Sequence, residues 1–244
     1  MCGRFVSSSS PEQIAQYFDV DAMDEKLLER GPNYNTAPTS EVLVVREDGT
    51  TRRLEAFRWG LVPSWAKDLS IGSRMINSRA ETVATKPSFR KAFATRRCII
   101  PVDGFYEWKA VPGEKKKQPY YIHRPDDEPF AFAGLWEQWR GPKDQPPLED
   151  PIRTCSIITT EANSKMAELH DRMPVILPQA AWGEWLSTED QGTETLGKFL
   201  VPAPSKLITF HPVSTEVNNA RNRGEHLRDE VDPDAPPASE PTLI

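Results

Sequence analysis

Cysteine is scarce in this chain: three residues in 244, at positions 2, 98 and 155. Residues so few and so far apart exclude a disulfide framework and show no metal-ligand spacing. No apolar run approaches the roughly 18–20 residues that a bilayer-spanning helix needs. No secretory leader is expected, because Arg4 is followed by a polar run from Ser7 to Ser10 instead of an apolar stretch. No internal repeat and no long linker divide the chain. These absences predict a cytoplasmic protein without a membrane segment. What is present argues for a folded core: 38% apolar residues and seven tryptophans, in a chain long enough for one large domain or two small ones.

Positive charge is also in deficit, with a net charge of −6, but the average hides a segregation. Between Arg52 and Arg97 there are eleven Lys/Arg against three Asp/Glu, a local +8 that leaves −14 for the rest. That basic segment is a candidate anion-binding surface, with an ordinary solvated face as the alternative. Residues 225–244 carry six acids, one arginine and four prolines, and read as a solvated, disordered tail. The expected organisation is a single domain over 1–223 and a tail over 224–244.

Short helices are expected at 11–18, with Ser10 as cap and Pro11 in the first turn, and at 24–30 and 88–94. Strands are expected at 42–45 and 54–59, joined by a turn at Asp48-Gly49. Further strands follow at 98–101, 105–109, 120–123, 130–136, 152–160 and 206–210. Residues 63–73, 111–119 and 141–151 read as loops. Helical pattern returns at 161–170 and 179–186. The fold class is α+β, with a mostly antiparallel, curled or barrel-like sheet and peripheral helices.

Several residues could carry chemistry. A small residue after Met1 generally permits removal of the methionine, which would leave Cys2 with an α-amine and a thiol on adjacent carbons. With reference pKa values of about 8 and about 8.5, both groups of such a pair are partly nucleophilic near neutrality. They can condense with an aldehyde to a thiazolidine, although a cysteine so placed could equally be an incidental terminal residue. In Arg74-Met75-Ile76-Asn77-Ser78-Arg79-Ala80-Glu81, two guanidiniums flank an amide. Arg74 and Arg79 could hold phosphate oxygens, and Asn77 a sugar hydroxyl or an oxyanion, or Asn77 could simply mark a turn. Strand alternation in Gly104-Phe105-Tyr106-Glu107-Trp108 puts Glu107 on the face of Phe105, opposite Tyr106 and Trp108. A carboxylate among aromatics suits proton transfer, whereas a strand-end glutamate would merely reach water. His170 borders an apolar stripe of Ala162, Met166 and Leu169 near an expected helix end, where a proton donor is favoured. His123 and His211 have weaker claims, and Cys98 and Cys155 read as inert core thiols. Trp65, in a basic loop, is a candidate platform for unpaired bases, and Trp59 reads as buried.

Taken together these segments resemble the SRAP family (SOS-response-associated peptidase), whose members act on abasic sites in single-stranded DNA. The resemblance begins at Met1-Cys2-Gly3-Arg4-Phe5, Tyr34-Asn35-Thr36-Ala37-Pro38 and Trp59-Gly60-Leu61-Val62-Pro63. It continues at Ile76-Asn77-Ser78-Arg79-Ala80-Glu81-Thr82, Asp103-Gly104-Phe105-Tyr106-Glu107-Trp108, His170-Asp171-Arg172-Met173-Pro174 and His211-Pro212-Val213-Ser214. It implies that Cys2, freed of Met1, crosslinks to the ring-opened abasic sugar. By the same resemblance Glu107 shuttles protons, His170 assists sugar opening and reclosure, and Asn77 positions the sugar or the terminal cysteine. Arg4 and Arg79 look like phosphate ligands, while Trp65 and Pro38 shape the single-strand path. The resemblance implies no cofactor and no metal, a monomer, cytoplasmic and at the nucleoid when on damaged DNA, and self-removal of Met1. Two rivals stand beside it: a glutamine amidotransferase of the terminal-cysteine class, and a non-covalent single-stranded DNA-binding module.

Overall fold

The computed structural model describes residues 2–113, 116–189 and 191–233. Its strands in the first half of the chain are β1 (Phe5–Ser7), β2 (Ala22–Met23), β3 (Asn33–Thr36), β4 (Glu41–Asp48), β5 (Thr51–Trp59), β6 (Asn77–Arg79) and β7 (Arg97–Val102). The second half adds β8 (Gly104–Ala110), β9 (Lys117–His123), β10 (Phe130–Trp139), β11 (Ile152–Glu161), β12 (Arg172–Pro174) and β13 (Thr209–Pro212). Among the described residues four short α-helices lie between them: α1 (Pro11–Tyr17), α2 (Arg90–Thr95), α3 (Trp182–Leu186) and α4 (Thr193–Gly197). In α1, Ser10 and Gln13 satisfy each other's backbone N–H in a capping box, with Pro11 in the first turn.

The larger sheet runs β12-β11-β10-β7-β4-β5-β2, with β6 attached to β11. A short parallel pairing of β11 with β5, Thr154↔Arg58 and Cys155↔Trp59, closes β11, β10, β7, β4 and β5 into a ring. The curled α+β core expected from the sequence is thus what forms. Residues 42–45 are apolar at every position because both faces of β4 are covered. Leu43 and Val45 belong to a cluster with Ile99, Leu135 and Trp185, whereas Val42 and Val44 belong to one with Ile100, Phe132 and Cys2.

A second sheet, β13-β9-β8-β1-β3, is antiparallel and holds the N-terminal strand between β8 and the edge strand β3. Phe5, Phe105 and Ile122 join the cluster containing Cys2. On the opposite face Val6, Tyr106 and Tyr121 are covered by Val213 and Val217 from the chain's last segment.

Three expectations need correction. Residues 161–170 are not a helix: Glu161 is still paired with Arg172, and only a 3-10 turn, Met166–Glu168, follows. Asn163 closes that turn tightly, accepting the Met166 N–H at 2.8 Å and donating to the Ala203 carbonyl at 2.7 Å. The last strand lies at Thr209–Pro212 rather than 206–210, because Ser205–Leu207 forms a 3-10 turn. The first part of the expected tail is ordered. Leu227 is buried, Arg228 lies over the Tyr34 ring at 5.0 Å, and the Val231 N–H donates to the Pro212 carbonyl at 3.0 Å. Residues 234–244 lie outside the described residues. No helix among the described residues is long and apolar enough to cross a membrane.

Candidate active site

Backbone pairing carries Cys2 into the core. β1 pairs with β8 in the register Phe5↔Phe105, and the Tyr106 N–H donates to the Arg4 carbonyl at 2.9 Å. Continuing that antiparallel register sets Gly3 opposite Glu107. Cys2 is fully buried, in one cluster with Phe5, Trp59 and Phe105. Alternation along β8 sends Tyr106 and Trp108 to the opposite face, as the sequence pattern requires. Glu107 faces the Cys2 side and is only 3% exposed. Burial pushes the Cys2 thiol well up, and the negative charge of Glu107 pushes it further, against the smaller downward pull of the Arg4 backbone N–H.

Asn77 reaches the same point from another sheet. β6 pairs with β11 in parallel, Ile157↔Asn77, and Asn77 Nδ2 donates to the Cys2 carbonyl at 2.8 Å. Asn77 Oδ1 is buried with no hydrogen-bond partner among the described residues. An amide oxygen is costly to bury unsatisfied, which suits one that accepts from a bound molecule or a terminal amine. Trp59, buried as expected, donates its indole N–H to the Ile76 carbonyl at 3.0 Å and so fixes the backbone next to Asn77.

His170 follows the 3-10 turn Met166–Glu168 and not the end of an α-helix, so the helix-end reason for a proton donor does not hold. Its environment is set at Nδ1, which lies 3.0 Å from the Arg172 backbone nitrogen and 2.8 Å from Asp171 Oδ1. A neutral ring with its proton on Nε2 accepts from Arg172; a ring protonated at Nδ1 donates to Asp171. Leu169 and Met173, on either side of His170, belong to the cluster that buries Cys2.

Beside this cluster runs a groove of about 450 Å³ in which Trp65 and Arg74 meet Asn77. Met75, Lys86 and Phe89 also line it. Trp65 is 46% exposed, on a loop pinched at its base by two glycines. A Cβ on Gly60 (φ 126°) would stand 2.6 Å from the Gly72 carbonyl oxygen, and one on Gly72 equally close to that of Gly60. Arg79 is exposed at the end of β6. Pro38 is half-buried before Thr39, which has φ 72° and donates its N–H to the Trp59 carbonyl at 2.8 Å. A non-glycine residue in that region is uncommon and marks a constrained turn.

Arg4 does not line the groove. Its Nη1 donates to Asn35 Oδ1 at 2.8 Å and to the Val217 carbonyl at 2.9 Å. His123 and His211 form a separate ring cluster with Tyr121, and His211 Nε2 lies 2.7 Å from the Arg228 carbonyl oxygen. Cys98 and Cys155 are buried, and burial pushes both thiols up. A larger cavity of about 680 Å³, lined by Trp182, Phe199, Val201 and Leu207 among others, contains none of the candidate catalytic residues. The candidate residues gather at the polar groove, not at the larger hollow. Asn35, Lys86 and the Glu81–Arg172 ion pair were not singled out individually from the sequence. Each carried a signal only by its place: Lys86 in the basic segment, and Asn35, Glu81 and Arg172 inside the segments that carry the family resemblance.

Fold and site together define an α+β protein with an N-terminal cysteine site beside a cationic, aromatic groove. The chain belongs to the SRAP family: the model for SOS response associated peptidase (SRAP) matches residues 1–220. Among its relatives is the abasic site processing protein YoqW of Bacillus subtilis (strain 168), 43% identical over 230 residues, covering 93% of this chain and 98% of that protein. YedK of Escherichia coli (strain K12), also named an abasic site processing protein, is 32% identical over 234 residues, with 93% and 98% covered. HMCES of Rattus norvegicus, bearing the same description, is 34% identical over 223 residues, covering 78% of this chain and 63% of that longer protein. A crystal structure from Bacteroides thetaiotaomicron shares the fold, with a TM-score of 0.83 at 24% identity, covering 94% of this chain and all of that one. One from Bordetella bronchiseptica gives 0.72 at 26% identity, with 87% of this chain and all of that chain covered.

Proposed function

We propose that this protein processes abasic sites in single-stranded DNA by crosslinking to them through Cys2. The observation that carries the reading is the convergence of Glu107 and Asn77 on Cys2, beside the groove of Trp65 and Arg74. The relatives' shared description as abasic site processing proteins supports an abasic sugar as the source of the aldehyde.

The chemistry follows from the aminothiol. With Met1 removed, the Cys2 amine adds to the C1′ aldehyde of the opened sugar and gives a carbinolamine. Glu107 takes the amine proton and returns it to the departing hydroxyl, so that water leaves and an imine forms. The sulfur then adds to the imine carbon, its proton passes to nitrogen, and a thiazolidine closes. One water is released for each crosslink. A buried thiol held up in pKa argues for this order, amine first and sulfur second. His170 moves the proton between the C1′ hydroxyl and the ring oxygen when the sugar opens, and Asn77 holds the Cys2 backbone while its Oδ1 accepts from the amine or the sugar. Arg74, Arg79 and Lys86 supply cations along the strand, Arg4 anchors the N-terminal strand, and Trp65 stacks on an unpaired base with Pro38 bounding the path. The same cysteine, glutamate and histidine serve self-removal of Met1. One chain carries every part, so a monomer suffices.

The test is a denaturing gel of purified protein incubated with single-stranded DNA containing one abasic site. A slow band that survives denaturant and vanishes in Cys2→Ala is expected. No band from protein whose Met1 is shown to be removed refutes the covalent reading.

A further inference from the structure

Asn77 and His170 lie 93 residues apart and on opposite edges of β11, since β6 and β12 both pair with Thr159, through Arg79 and Pro174. A single guanidinium spans the strand between them. Arg172, at the start of β12, donates from Nη2 to the Thr159 carbonyl at 2.7 Å. That same carbonyl accepts the Ala80 N–H from the β6 side at 2.9 Å. Arg172 then clasps Glu81 just past β6, Nη1 to Oε1 at 2.6 Å and Nη2 to Oε2 at 3.1 Å. Its backbone N–H meanwhile donates to His170 Nδ1 at 3.0 Å. The fork geometry fixes direction as well as distance, which a lysine or a single hydrogen bond would not do. Hydrogen bonding to Arg172 holds the Glu81 carboxyl below its usual range. Half of the Glu81 side chain is exposed, so the pair adds little to global stability. Its geometric effect is larger, because it sits between two groups that must meet one substrate.

We propose that Glu81 is a positioning residue: acting through Arg172, it fixes the spacing of Asn77 and His170 across β11 and holds the His170 ring as an Nδ1 acceptor with its proton on Nε2. The inference rests on the abasic-site reading and adds a residue that touches neither Cys2 nor the substrate groove. Misplacing one of two cooperating groups by about 1 Å costs roughly 10–100-fold in rate.

The experiment compares wild type, Glu81→Gln and Glu81→Asp with the single-stranded oligonucleotide carrying one abasic site, alongside the imidazole nitrogen shifts of His170 by NMR in the DNA-free proteins. Glu81→Gln keeps the shape and loses the charge. It should slow crosslink formation at saturating DNA by roughly tenfold or more, without weakening affinity for the intact strand. Its His170 shifts should move away from the Nε2–H pattern of wild type, and Glu81→Asp should recover part of both. Unchanged rates, or slower crosslinking with unchanged His170 shifts, overturn the proposal. Absence of any crosslink in wild type strikes the functional reading instead, and the His170 shifts then still decide whether Glu81 sets the ring.

Discussion

Asn35→Ala removes the side chain that ties the N-terminal strand to the end of the domain. Asn35 is 1% exposed, and its Nδ2 lies 3.2, 3.1 and 2.8 Å from the carbonyl oxygens of Val217, Asn219 and Asn222. Its Oδ1 accepts from Arg4 Nη1 at 2.8 Å. Two amide protons cannot make three full bonds, so two are counted. At about 1 kcal/mol each, with about 1.5–3 for the bond from the charged guanidinium, the loss is roughly 4 kcal/mol. For a chain of this size that lowers Tm by roughly 8–16 °C. Thermal unfolding followed by circular dichroism measures it, and limited proteolysis should cut first within residues 213–231, which the amide no longer holds. Asn35→Asp keeps the volume and the Arg4 partner but turns a carboxylate toward three carbonyls, so it should rescue little. If both variants melt within about 2 °C of wild type, the hydrogen-bond accounting is refuted. Arg4 stands two residues from Cys2, so crosslinking should fall with the anchoring.

Glu107→Gln should slow crosslink formation by roughly a hundredfold or more while leaving affinity for intact single-stranded DNA unchanged, read by single-turnover gels and by anisotropy. A large affinity loss would make Glu107 structural. Trp65→Ala should weaken single-stranded DNA binding by about 1–3 kcal/mol at fixed salt, with the crosslinking rate at saturating DNA unaffected. Hydrogen bonding to Arg124 holds the Asp126 carboxyl at about 2. A folded value below the ordinary carboxylate value of about 3.9 means stability that is complete above that pH and is lost as pH falls through about 2. The Asp126 side chain is more than half exposed, so its contribution stays below about 1 kcal/mol. Asp126→Asn should therefore lower Tm by no more than about 4 °C at neutral pH and leave it unchanged near pH 2.

Local chemistry was readable where it acts over a few residues. Ser10 and Pro11 announce α1 because cap and first turn are chosen within a few residues, and Gln13 completes the capping box in the structure. The inward placement of Glu107 follows from strand alternation alone, since a period of two needs no knowledge of the partner strand. The helix expected at 161–170 failed because its apolar spacing also fits a tight turn, and Asn163 chose the turn by bonding to Met166 and to Ala203, forty residues away. Strands as short as β1, β6 and β12 are set by their neighbours instead of by propensity, which is why no pattern in the sequence marked them.

By itself the sequence determined which groups were on hand: a thiol at Cys2, a carboxylate at Glu107, an amide at Asn77, an imidazole at His170 and a basic stretch with a tryptophan in its loop. It also determined the α+β class, through strand periodicity and short capped helices. Only the tertiary structure decided which of them meet. Asn77 reaches Cys2 across 75 residues of chain, and Asn35 reaches Asn222 across 187. It also turned Arg4 toward Asn35 and Val217 and replaced the helix before His170 with a turn. The physical reason is that a side chain's identity is local, whereas its partners are chosen by strand register and by burial, and those are settled by the whole core at once.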